Sequence, residues 1–144
     1  MNILSATDVR KNWSVTLDSV IHERPAYIKR TRDNIAILNM DLLTEILSGY
    51  KFNASRYIED DGSITLSADE IDIVVNAKDD DQAIAALASD IKEYAEEYYD
   101  HFSSWSIAPN RRPHIPYVLK ALSLSEASIR KEIQVSLEYF NDNI

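Results

Sequence analysis

The chain has 144 residues, 45% of them apolar and 27% charged, with two glycines, four prolines and no cysteine. That composition is globular; it excludes disulfides, thiolate metal sites and a cysteine nucleophile, argues against long disordered linkers, and is compatible with the cytoplasm. The net charge of −9 argues against a protein that coats nucleic acid non-specifically, yet it is unevenly spread: residues 1–52 carry 7 Lys and Arg against 6 Asp and Glu, net +1, and residues 53–144 carry 8 against 18, net −10.

The length suits one modal domain or two small lobes, and the division of charge and pattern favours two, residues 1–52 and residues 53–144. Residues 1–12 already hold Asp8, Arg10 and Lys11 without an apolar core, so no secretory signal is expected, and no run approaches the roughly 18 apolar residues of a membrane span.

"NIL" at 2–4 reads as a short strand, and Ser5 followed by Asp8 is a capping-box variant that opens a helix. Val9, Trp13, Leu17, Val20 and Ile21 then recur at spacings of three and four, which predicts one helix running to about His22, where "ERP" stops it. "AYIKR" and "IAILN" read as two strands of a hairpin joined by "TRDN", with Asp33 and Asn34 supplying the positive φ of a tight turn. Asp41 caps a short helix over "LLTEIL", closed by Ser48 and Gly49. Residues 1–49 thus make a β-α-β-β-α module.

Beyond it, "SRYIE", the turn "DDGS", "ITLS" and "IDIVVNA" predict a three-stranded antiparallel meander. A long helix follows from about Asp80 to His101, since Ile84, Leu87, Ala88, Ile91, Ala95, Tyr98 and Tyr99 keep helical period. After the breaker "SIAPNRRP", two further helices are expected, "HIPYVLKAL" and, capped by Ser125, "EASIRKEIQVSLEYF". The fold class is α+β, a small N-terminal module followed by a meander and helices.

The segment "ILSATDVRKNWSVTLDSVIHERPAYIKRTRDNIAILNMDLLTEIL" resembles the N-terminal domain of Phd/YefM-type antitoxins. It carries a short strand, a Ser-Ala-Thr start, Arg-Lys-Asn before an aromatic, a Leu-Asp-x-Val helix, an apolar and basic hairpin and a closing helix over Leu42 to Leu47. The resemblance covers about the first third of the chain. It implies a dimeric repressor that binds its own operator DNA, and a C-terminal part that neutralises a cognate toxin protein. Toxin-binding tails of that family are usually short, whereas residues 53–144 read as a folded domain, similar to the HicB-type antitoxin fold in the order and type of its elements alone.

The residues make a physical case for DNA contact beside that resemblance. Ser5 and Thr7 place hydroxyls at a helix start, Arg10 and Lys11 follow within about a turn, and Asn12 suits a base edge or a phosphate. A second basic group, Lys29, Arg30 and Arg32, lies at the hairpin tip, so the two groups must converge in space to act together. The bland alternative is a solvated helix start and a solubilising hairpin. A module this small buries little, so Trp13, Leu17, Ile35, Ile37 and Leu38 are expected to divide between its core and a symmetric homodimer interface.

In the acidic half, "EYAEEYYDHFSSW" gathers Tyr94, Tyr98, Tyr99, Phe102 and Trp105, either as interface anchors for a basic partner or as core lining at helical spacing. Arg111, Arg112 and His114 in "APNRRPHIPY" suit an anion site or a packed loop. His22, His101 and His114 form no metal motif, two glycines cannot build a phosphate-cradling loop, and Asp60, Asp61, Asp79, Asp80 and Asp81 read as turn and cap chemistry without calcium-loop spacing. No catalysis, cofactor, metal or membrane partner is expected. The alternative to the antitoxin reading is a dimeric, non-enzymatic protein-interaction or small-ligand-binding protein without a DNA-binding role.

Overall fold

The computed structural model describes residues 1–137 and divides the chain into two compact units, the first Met1–Ile46 and the second from Leu47 onward. The class is mixed α+β, with two small sheets and seven helices among the described residues.

The first unit runs β1 (Leu4–Ser5), α1 (Ala6–Lys11), α2 (Trp13–His22), β2 (Ala26–Arg30), β3 (Asp33–Ile37) and α3 (Met40–Ile46). β1 lies parallel to β2, pairing Leu4 with Ile28 and Ser5 with Lys29; β3 returns antiparallel, from Arg30 opposite Asp33 to Ala26 opposite Ile37. Val9, Val20, Ala26 and Ile28 form its core, with Leu4, Ala6 and Ile37 packed against them.

Three local expectations are corrected here. The single helix over residues 5–22 is two helices, because Asn12 leaves helical geometry at φ −118 and ψ 39. Its backbone N–H and its side-chain amide both donate to the Asp8 carbonyl, at 3.0 and 3.1 Å, while its own carbonyl accepts from Thr16 and opens α2. An asparagine amide that competes for backbone partners is what makes this residue a helix breaker. The break rotates α2, so Thr16 and Val20 face inward while Trp13 and Ile21 stand about half exposed. At the hairpin tip, the positive φ belongs to Thr31 at 56°, since Asp33 already pairs with Arg30. Asn39, not Asp41, caps α3: its side-chain oxygen accepts from the Asp41 N–H at 2.9 Å.

The second unit opens with a 3-10 turn at Leu47–Gly49 and continues as β4 (Phe52–Ile58), β5 (Ile64–Ala68), β6 (Ile73–Ala77), α4 (Asp80–Asp100), α5 (Phe102–Trp105), α6 (Ile115–Ser123), α7 (Glu126–Glu132) and β7 (Ile133–Leu137). The meander stands as expected, turning at Gly62 with φ +84. Asp79 caps α4 by accepting from the Gln82 N–H at 2.8 Å, and Ala83, Leu87, Ala88, Ile91, Ala95 and Tyr98 form its buried stripe.

The last helix is shorter than predicted. It ends at Glu132, and Ile133–Leu137 become a strand that lies parallel to β4, giving the sheet order β6-β5-β4-β7. "IQVS" alternates apolar and polar residues, a period-2 signal that the helical reading overrode. The remainder of that predicted helix, residues 138–140, lies outside the described residues.

Candidate nucleic-acid interface and aromatic cluster

The parallel register of β1 and β2 decides the geometry of the first candidate site. Pairing Ser5 with Lys29 sets the start of α1 beside the end of β2, although the two are separated by more than twenty residues of chain. Ser5, Ala6, Thr7, Arg10, Lys29, Arg30 and Thr31 consequently line one concavity of about 620 Å³. Ser5 caps α1, its hydroxyl oxygen accepting from the Asp8 N–H at 3.1 Å, so its side chain is partly spent on the helix. α1 has only six residues. Its dipole is correspondingly small, and the positive field of the concavity rests on Arg10, Lys29 and Arg30.

Five of the eight residues expected at a DNA contact are thus brought together; Lys11, Asn12 and Arg32 are exposed but do not line the concavity. Arg10, Lys11, Lys29, Arg30 and Arg32 form no ion pair among the described residues. Ala6 and Thr31 complete the lining and were not anticipated. Thr31, at φ 56°, is the turn residue of "TRDN", two positions before the Asp33 that the tight-turn reading expects there, so the sequence signal for it is the same stretch in a different register.

Of the five residues expected between core and dimer interface, Ile37 packs on the small core and Leu17 and Leu38 are half-buried. Trp13 and Ile35 are each 49% exposed. Met1, Ile3, Val15, Ile21, Tyr27, Met40 and Ile46 are exposed as well, a large share of apolar area for a unit whose core holds four buried hydrophobic side chains.

In the second unit, the aromatic group predicted on α4 and α5 is mostly internal. Tyr98 is fully buried and donates its hydroxyl to the Arg111 carbonyl at 2.9 Å, which makes it core and not interface, because α6 and the 106–111 loop cover that face of α4. Tyr94 stacks on Tyr98 at 5.9 Å, Trp105 meets both rings edge-on, and Phe102 packs against Tyr98. Tyr99, one residue further round the helix, is 66% exposed.

A shallow cleft of about 340 Å³ lies over this cluster, lined by Ile73, Tyr94 and Trp105 with the carboxylates of Asp90, Glu93 and Glu97 on α4. Arg111 closes it, its guanidinium 3.6 Å above the Trp105 ring. Behind the cleft, the buried His114 ring holds Tyr94 Oη at 2.7 Å from Nδ1 and faces Asp72 Oδ2 at 3.6 Å from Nε2. Burial pushes its pKa below the usual histidine value; Asp72 pulls it back up and Arg111 adds to the fall.

The turn carboxylates serve the fold. Asp61 accepts from the Ser63 N–H at 2.8 Å, and the Ser63 contacts hold its carboxyl below the ordinary range; Asp80 is held down likewise by its two-pronged pair with Arg56, at 2.6 and 3.1 Å. Among the described residues, no cluster of three or more His, Asp and Glu is arranged to hold a metal, and no helix is long and apolar enough to cross a membrane.

No curated protein matches the chain. A crystal structure described as an antitoxin part of a toxin/antitoxin system from Syntrophomonas wolfei subsp. wolfei superposes with a TM-score of 0.89 at 32% identity, covering 95% of this chain and 99% of that one. The family model PHD_like, described as antitoxin of toxin-antitoxin, RelE / RelB, TA system, matches residues 1–135. The chain belongs to this PHD-like antitoxin family of toxin-antitoxin systems.

Proposed function

We propose that this antitoxin binds its operator DNA as a homodimer in the cytoplasm through the first unit, represses its own transcription, and neutralises a toxin protein through the acidic second unit without catalysis. The observation that carries the DNA half is the concavity itself: Arg10, Lys29 and Arg30, distant in sequence, share one surface through the Ser5 to Lys29 register. Such a group suits phosphate contact, which positions a protein on a duplex, while a two-fold dimer supplies half-site spacing. The β-α-β-β-α order supports a Phd/YefM-type reading of the first unit, and the meander followed by helices supports a HicB-like reading of the second. The exposed apolar residues of the first unit, Trp13 and Ile35 foremost, support the homodimer. For the toxin, Asp90, Glu93 and Glu97 beside Tyr94 and Trp105 offer paired charge and aromatic area to a basic partner, with Tyr99 exposed nearby on the same helix.

The test is a titration of the full chain against a labelled duplex from just upstream of its own gene, beside a scrambled duplex, at two salt concentrations. Specific binding that weakens with salt is expected. The Arg10→Ala/Lys29→Ala double variant is expected to lose affinity about tenfold or more and to flatten the salt slope by about 2, one per phosphate contact removed. Unchanged affinity in a folded double variant overturns the site.

A further inference from the structure

The cleft over the aromatic cluster carries a charge pattern that the stability of its own helix opposes. α4 holds seven carboxylates and one lysine. That lysine, Lys92, is committed elsewhere, donating to the carbonyls of Ala121 and Leu124. Asp90, Glu93 and Glu97 line the cleft at spacings of three and four, so like charges stand above one another, an arrangement that destabilises a helix. Glu93, Glu96, Glu97 and Asp100 also crowd the C-terminal end, where the helix dipole disfavours anions, and the last turn has no basic residue. The three cleft carboxylates are exposed, and none forms an ion pair among the described residues. Neither burial nor helix stability calls for them; a cation from outside the chain would relieve their repulsion.

The same cleft shows which cation its rings accept. Arg111 is the one cation lining it among the described residues, and its guanidinium rests 3.6 Å above the Trp105 ring instead of pairing with a carboxylate. The Tyr98 hydroxyl, donating to the Arg111 carbonyl at 2.9 Å, ties down the backbone that carries it. A planar, weakly hydrated guanidinium lies well on an aromatic face, and here it leaves all three carboxylates without a partner.

We infer that this cleft receives an arginine side chain of a basic partner protein, its guanidinium pairing with Glu93 and Glu97 and packing on Tyr94 beside Arg111. The inference rests on the toxin-binding reading of the second unit and names the chemistry that reading would use. Two carboxylates one helical turn apart offer acceptors to the guanidinium fork, and the rings take its flat face. A lysine ammonium, compact and strongly hydrated, gains from the carboxylates alone. A metal ion is the poorer occupant, because no group of three His, Asp and Glu among the described residues is arranged to hold one.

The test is an NMR titration of the isotope-labelled full chain with the blocked peptides acetyl-Gly-Arg-Gly-amide and acetyl-Gly-Lys-Gly-amide. The chain has two tryptophans, so comparison with Trp13→Phe identifies the Trp105 indole signal. The arginine peptide is expected to shift that signal and the amides of residues 90–97 saturably, and to bind about threefold or more tighter than the lysine peptide. Glu93→Gln/Glu97→Gln is expected to lose the response while its urea midpoint stays level or rises, since a like-charge pair has gone. Equal response to both peptides, or a response that survives the double variant, overturns the inference. A lower midpoint does so too, because it would assign the carboxylates to the fold. In a second arm the full chain captures the toxin encoded beside its gene, and the double variant is expected to bind it about tenfold or more weakly. Equal capture by both chains overturns the cleft and leaves the toxin reading standing; a toxin that ignores the parent chain sinks that reading, and the peptide titration then decides the cleft alone.

Discussion

His114 shows how one side chain reports on its surroundings. Tyr94 Oη lies 2.7 Å from Nδ1 and Asp72 Oδ2 3.6 Å from Nε2, so each ring nitrogen has a polar neighbour, and burial opposes the charged form of the ring. A folded pKa below the unfolded value near 6.5 means that the unfolded state takes up a proton first as pH falls. The stability associated with neutral His114 is full above about pH 6.5 and declines as the pH drops towards the folded value. His114→Gln, which keeps a polar side chain without a proton to gain, is expected to flatten the change in urea midpoint between about pH 7 and 5.5. A variant with the parent slope would assign that acid sensitivity to the carboxylates.

At the scale of elements, the joint between α7 and β7 is held by a buried charge. Lys120 on α6 is 1% exposed, donates to the Tyr50 carbonyl at 2.7 Å, lies 5.4 Å from the Phe52 ring and pairs with the Glu132 carboxylate at the end of α7. One ammonium thereby ties the start of β4, α6 and the α7–β7 joint together. Lys92 does similar work beside it, donating to the carbonyls of Ala121 and Leu124 where α6 ends. The two partners of the ion pair are not equivalent, because Glu132 keeps 37% of its side chain exposed while Lys120 keeps almost none. Glu132→Gln strands a buried ammonium and is expected to cost about 3 kcal/mol in urea unfolding; Lys120→Met, which leaves a carboxylate able to rehydrate, is expected to cost less. A reversed order would show that the pair is more solvated than its burial indicates.

For the whole molecule, the two units divide the charge as well as the fold. Residues 1–46 are neutral, with six basic and six acidic side chains, and the entire net charge of −9 resides in the second unit. The DNA contact proposed above would therefore depend on local geometry and on pairing two basic concavities, and not on bulk attraction. Ile35→Glu places a charge on the exposed apolar face of β3, away from the basic concavity. It is expected to raise the concentration at which the full chain dimerises, seen by sedimentation, and to weaken operator binding about tenfold or more through loss of the second half-site. Full operator affinity from a monomeric Ile35→Glu chain would detach the DNA reading from the dimer.

The class, the order of most elements, the meander, the length of α4 and the uneven charge are legible along the chain alone, because period, caps and turn residues act over a few neighbours. The same local signals misread Asn12, Thr31 and "IQVSL". Whether an asparagine breaks a helix, which loop residue turns, and whether a short apolar run becomes strand or helix are decided by what the segment packs against. "IQVSL" is a strand because β4 offers it a free edge 81 residues upstream. Tyr98 and Tyr99 are alike as residues and one position apart, yet the cover over α4 buries one and leaves the other to solvent. The convergence of Arg10 with Lys29 and Arg30 was likewise a matter of tertiary structure: a pair of parallel strand residues, Leu4 and Ser5, brings together charges that no spacing along the chain connects.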